Sequence, residues 1–236
     1  MCKFTIYCLA LVLCGCYSQR PTTVPITNIK YASATNQTAH LVIFLIGIGD
    51  NISAFERAGF FKRKAKFKFD SIVVDSHFGF YKNHSISTRI FEDILKSSRS
   101  KYKKITLLGI SLGGYGAIKT ASDYPTYVDN IILVAPFLGS QGIAKMQARH
   151  QSYETWRPTE NTELGYFEDS WNLLYKLLKI EKIPLTLAYG KEDKFAMQSN
   201  QLAKYLNQEN VVKVKGKHNW QTWLKIWTKL LTLKIV

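Results

Sequence analysis

Cysteine is missing from all but the first sixteen residues: Cys2, Cys8, Cys14 and Cys16 are the only four. The body of the chain therefore has no possible internal disulfide, no thiolate zinc site and no cysteine nucleophile. Acidic residues are also scarce, 17 against 32 Lys and Arg, which leaves a net charge of +15. No apolar run approaches the roughly twenty residues needed to span a bilayer; the longest, 4–13, is half that. There is no internal repeat and no low-complexity tract. Apolar residues at 46% and charged residues at 21% describe a globular chain with one ordinary domain's worth of core. The lysines gather at 62–68, 101–104 and 213–217. Such clusters suit an anionic membrane surface as well as plain solvation. No nucleic-acid recognition motif accompanies them, so nucleic acid is not an expected partner.

The first fifteen residues have the shape of an export signal. Lys3 supplies the charge, 4–13 the short apolar stretch, and Leu13-Cys14-Gly15-Cys16 the end. That end resembles the lipobox of bacterial lipoproteins, in which a small residue precedes an obligatory cysteine. The resemblance implies cleavage before Cys16, acylation of Cys16, and attachment to a membrane of the cell envelope. Tyr17 stands where an aspartate would retain such a protein at the inner membrane, so the outer membrane is favoured in a bacterium with two. The expected division is a signal peptide over 1–15, a tether over 16–40 leading into a short strand at most, and a catalytic domain over 41–236.

From residue 41 the pattern becomes regular. Runs at 41–46, 71–74, 105–108, 131–134, 185–189 and 211–214 are rich in Val, Ile and Leu without polar alternation. That is the signature of parallel strands covered on both faces. Helical segments alternate with them at 53–66, 87–102 (with Ser87 as N-cap), 112–123 and 220–233. Such alternation builds a mostly parallel sheet between two layers of helices. One strandless interval, 139–181, holds Tyr153, Trp156, Tyr166, Phe167, Trp171 and Tyr175; it is expected to be a small helical cap over the site.

Gly109-Ile110-Ser111-Leu112-Gly113 matches G-x-S-x-G, the strained turn that exposes a nucleophilic serine between a strand and a helix. A buried run leads into it and a helix-compatible stretch leads out, which is the context the motif requires. With these features the chain resembles the α/β-hydrolase superfamily from residue 41 onward, and within it small bacterial serine esterases. The resemblance implies a triad in the order serine, acid, histidine. Of the five histidines, His40, His77 and His84 precede the serine and His150 precedes the acid's strand, leaving His218 in the loop before the final helix. The acid follows 185–189 in Gly190-Lys191-Glu192-Asp193; the family's turn favours Asp193, with Glu192 as competitor. Oxyanion donors are expected from the backbone of Leu112 and, in Gly47-Ile48-Gly49-Asp50, of Ile48, with Gly49 possible; Ile46 replaces the histidine of many lipases. Asp75 and His77 follow the strand at 71–74 and either border the site or, for Asp75, shape a turn.

The expected activity is hydrolysis of a carboxylic ester or thioester through an acyl-serine, with no metal and no organic cofactor. The partners implied are a small or lipid-like acyl ester and, through Cys16, a membrane. Two other readings use the same residues: an acyltransferase, and a non-catalytic envelope protein that keeps the scaffold for binding.

Overall fold

The computed structural model describes residues 20–33, 38–62, 67–139 and 169–236. Seven strands form one sheet in the order β1-β3-β2-β4-β5-β6-β7. They are β1 (Asn28–Tyr31), β2 (His40–Leu45), β3 (Asp70–Val74), β4 (Lys104–Ile110), β5 (Asn130–Val134), β6 (Leu185–Gly190) and β7 (Val211–Val214). β1 runs antiparallel to β3, and every other pairing is parallel. The four central strands are buried almost throughout, which is why they read as unbroken apolar runs. The α/β-hydrolase expectation holds.

Helices fill the crossovers: α1 (Ala54–Arg57), α2 (Phe78–Lys82), α3 (Ile86–Ile90, continued by Phe91–Leu95 and Lys96–Ser98), α4 (Leu112–Asp123), α5 (Ser170–Tyr175, continued by Lys176–Ile180), α6 (Ala196–Ala203) and α7 (Trp220–Thr232). α1 is much shorter than the expected 53–66, because the chain turns at Gly59 with φ +90°; residues 63–66 lie outside the described ones. Ser87 does not cap α3. It sits inside the first turn, and its hydroxyl donates to Asp123 Oδ2 at 2.6 Å.

Residues 20–33 belong to the domain, so 16–40 is not a free tether throughout. Ile26 is buried in the core and β1 closes one edge of the sheet. β1 is the short strand allowed for at the end of the tether; Asn-Ile-Lys-Tyr pairs on one side only and stays half-exposed, so its bounds carry little sequence signal. The cap interval falls largely outside the described residues. Of its aromatics, Trp171 is a fully buried core residue whose indole donates to Leu138 O at 3.1 Å.

Phe44, Phe60, Phe67 and Phe69 meet Trp227 of α7, and Phe55 packs against Phe44 and Phe60 beside them. Trp227 Nε1 donates to Phe60 O at 3.0 Å, so its polar tip is satisfied in the core. Aromatic pairs of this kind add about 0.5–1.5 kcal/mol each beyond area burial. They seat α7, and α7 in turn fixes the loop that precedes it.

His40 opens β2, with Nε2 at 2.9 Å from Thr106 Oγ1. Burial, and secondarily Lys104, pushes its pKa down from 6.5 to about 4. The native state thus refuses a proton that the unfolded chain accepts, and stability is lost as pH falls from 6.5 toward about 4. Urea denaturation across this window should show a steeper loss for wild type than for His40→Gln; parallel curves would remove His40 as the cause.

Candidate active site

Ser111 stands between the end of β4 and the start of α4 with φ 54° and ψ −118°. A non-glycine residue at such angles costs on the order of 1–3 kcal/mol and persists only where its surroundings impose it. Here they do. Ser111 N–H donates to Val134 O of β5 at 3.0 Å, and its carbonyl accepts from Gly114 N and Phe137 N, both at 2.9 Å. The flanking glycines let strand and helix close: a Cβ on Gly109 would lie 2.1 Å from Gly113 O, and one on Gly113 would lie 2.4 Å from Leu45 O.

His218 reaches Ser111 from the loop between β7 and α7. Its Nε2 is 3.0 Å from Ser111 Oγ, and its Nδ1 is 2.8 Å from Asp193 Oδ2 and 2.9 Å from Oδ1. An ionised carboxylate only accepts, so Nδ1 donates to Asp193, which leaves the lone pair of Nε2 facing the serine hydroxyl. Asp193 has a completely buried side chain and also accepts from Phe195 N at 2.8 Å. The ring of His218 is packed edge-on by Phe195 and by Trp223, each 4.9 Å away. The acid and base loops are stitched together as well: Lys191 N donates to Val214 O at 2.8 Å and Glu192 N to Gly216 O at 3.0 Å. Glu192 is exposed and makes no side-chain bond to His218, so of the two candidate acids the structure brings only Asp193 to the histidine.

The two segments expected to supply oxyanion donors both adjoin Ser111. Leu112 begins α4, so its N–H has no carbonyl inside the helix to bond. The loop after β2 passes directly by the nucleophile: a Cβ on Gly47 would sit 3.4 Å from Ser111 Cβ. Asp50 N donates to Gly47 O at 3.3 Å, closing a turn around Ile48 and Gly49. The Ile48 side chain is exposed.

Three features of the surroundings were not anticipated. Asp50 Oδ1 accepts from Trp220 Nε1 at 3.1 Å. Burial raises its carboxyl above the ordinary value, while the Trp220 bond and Arg57 oppose the rise. Arg20 donates from Nη1 to both oxygens of Asp75, at 3.0 and 2.8 Å, and from Nη2 to Asp50 O at 3.1 Å. Phe195 and Trp223 wall the histidine. No local motif marks any of them; the pairs lie 170 and 55 positions apart in sequence. His77 is not at the triad. Its Nδ1 accepts from Gly79 N at 3.2 Å and caps α2, with its pKa lowered by burial and then by Arg20.

A strained serine on a strand–helix turn, hydrogen-bonded to a histidine that an acid orients, within a parallel sheet, defines a serine hydrolase of the α/β-hydrolase fold. The Esterase family model matches residues 81–232. The chain belongs to that family, and it is an ester hydrolase of the serine class. A search of curated protein sequences finds no match. Among solved structures, it is similar to the fluorophosphonate-binding serine hydrolase FphF of Staphylococcus aureus, with TM-score 0.63 and 20% identity over 84% of this chain and 85% of that one. The S-formylglutathione hydrolase FrmB of the same organism gives 0.61 and 19% over 86% and 83%. Est1E from Butyrivibrio proteoclasticus gives 0.60 and 12% over 89% and 94%. At these identities the likeness carries the fold.

The geometry makes a direct prediction about the acid. Asp193→Asn should lower kcat for a p-nitrophenyl ester by about 10⁴-fold, because the amide donates and selects the wrong tautomer. Glu192→Gln should stay within about twofold of wild type, since ordinary surface changes are small. Steady-state kinetics of the two variants checks this, and the reverse ranking would give the role to Glu192.

Proposed function

We propose that the protein hydrolyses a carboxylic ester or thioester through an acyl-Ser111 intermediate. The observation that carries this is the continuous chain Asp193–His218–Ser111, at 2.8 and 3.0 Å. His218 Nε2 takes the proton of Ser111 as Oγ bonds to the substrate carbonyl carbon. The carbonyl oxygen becomes an oxyanion, which Leu112 N–H and Ile48 N–H receive. The tetrahedral centre collapses, its bond to the leaving group breaks, and the alcohol or thiol departs with the proton from His218. Water repeats the sequence on the acyl-serine, giving the carboxylic acid and free Ser111. Asp193 holds the imidazole in position and stabilises its cationic form. FrmB and a second neighbour, from Agrobacterium tumefaciens, are both named as S-formylglutathione hydrolases, which supports keeping thioesters in the substrate class.

The reading extends to location. Cys16 carries the lipid and holds the enzyme at the cell envelope, on the outer membrane where there are two. The support is the leader Lys3 to Gly15 with its Leu13-Cys14-Gly15-Cys16 ending. Several acyl chains on one cysteine hold far more firmly than the marginal grip of a single myristoyl chain.

Ser111→Ala should cost on the order of a millionfold in kcat, with His218→Ala close behind, and should abolish covalent labelling by a fluorophosphonate while circular dichroism is unchanged. Retained labelling at another residue would overturn the assignment. For location, wild type should sediment with membranes through a high-salt wash and Cys16→Ser should not. Salt release of the wild type would replace the lipid, as the cause, with the +14 that remains when Lys3 leaves with the leader and takes one charge from +15.

A further inference from the structure

The loop that passes Ser111 and bears the proposed donor Ile48 is short and contains Gly47 and Gly49, so its own backbone does little to hold it still. An oxyanion donor is useful only when it is fixed in advance, because reorganising it during the reaction cancels most of its benefit. The restraint has to come from outside the loop, and the structure locates it at Asp50, the residue that closes the turn.

Asp50 is gripped at both of its polar ends. Its carboxylate accepts from Trp220 Nε1 at 3.1 Å, and Trp220 is itself wedged against Phe55, Phe60 and Trp223. Its main-chain carbonyl accepts from Arg20 Nη2 at 3.1 Å. Arg20 is aimed by the two-pronged pair of its other nitrogen with Asp75, whose own backbone N–H is tied to Thr27 O at 2.9 Å. Asp75 sits immediately after β3, the strand beside β2. One guanidinium thus joins three places: the N-terminal arm, the exit of β3 and the oxyanion loop. A guanidinium suits this task, since one of its nitrogens faces both oxygens of a carboxylate while the other, held in the same plane, donates to a third acceptor.

We infer that the N-terminal arm is a working part of the active site, with Arg20 a positioning residue that fixes the oxyanion loop through Asp50. The inference rests on the proposed acyl-Ser111 mechanism and on Ile48 as a donor. Arg20 is 41% exposed, and ion pairs so open to water contribute little to global stability. Its loss should therefore appear in transition-state stabilisation rather than in melting.

The test uses the full chain and compares wild type with Arg20→Met, Arg20→Lys and Trp220→Phe on a p-nitrophenyl acetate substrate. Arg20→Met and Trp220→Phe should each lower kcat between about tenfold and a hundredfold with KM nearly constant. A tetrahedral mimic such as a trifluoromethyl ketone should lose affinity by the same factor. For Arg20→Met the change in Tm should be no more than about 3 °C. Arg20→Lys keeps the charge beside Asp75 but not the fork, and should recover less than half of the lost activity on a logarithmic scale. Unchanged kcat in Arg20→Met, full recovery by lysine, or a loss that follows melting would each overturn the positioning role. Failure of wild type to label with a fluorophosphonate would instead sink the acyl-Ser111 mechanism beneath it, so the two failures are told apart.

Discussion

Ser111 occupies a backbone conformation that a serine avoids, and most of the architecture around it bears on keeping it there. Its N–H is bound to β5 and its carbonyl to the turn of α4 and to the exit of β5. The glycines on either side bring β4 and α4 into backbone contact. That contact is possible only because β4 lies in the middle of the sheet, flanked by β2 and β5 in parallel register. The strain at one residue is therefore spread over three strands and a helix, each buried and each well bonded. A loosely packed sheet would relax it, and the hydroxyl would drop out of line with His218.

The site is assembled from the ends of parallel strands, and each contributes a different kind of group. The end of β2 supplies the Gly47–Asp50 loop, the end of β4 Ser111, the end of β6 Asp193 and the end of β7 His218. Parallel strands place all their carboxyl ends on one edge, so loops far apart in sequence meet without any long connection having to be threaded. The aromatic packing of α7 serves the same end from the other side. Trp227 anchors the helix to the sheet, and Trp223 and Trp220, one and two turns nearer its start, touch the imidazole and the Asp50 carboxylate. A hydrophobic seam thereby sets the position of two polar groups.

The sequence made the interior strands plain because burial on both faces removes the polar alternation that would blur them. Ser111 was plain because its motif is local, and His218 because the family's order leaves one histidine after the last strand. What stayed hidden depends on partners distant along the chain. Asp50 and Trp220 are unremarkable until the fold brings them together, and Arg20 lies in a stretch whose composition reads as linker. β1, half-exposed at an edge, was legible only as a short strand without bounds, and α2 was missed because five residues carry too little periodicity. The expected helix at 53–66 overshot because its amphipathic spacing continues past Gly59, where the backbone turns.

The stitching of the acid and base loops has a mechanical consequence. Lys191 and Glu192 are bonded to Val214 and Gly216, so the segment bearing Asp193 and the segment bearing His218 are hinged to one another and to the β6–β7 edge. Ser111 is bonded to a different neighbour, the exit of β5. Separating Ser111 from His218 breaks one side-chain contact, whereas separating His218 from Asp193 also strains the backbone bonds that stitch their loops together. An arriving water thus meets a base already in the right tautomer. Only a single distance has to be restored before the next proton moves.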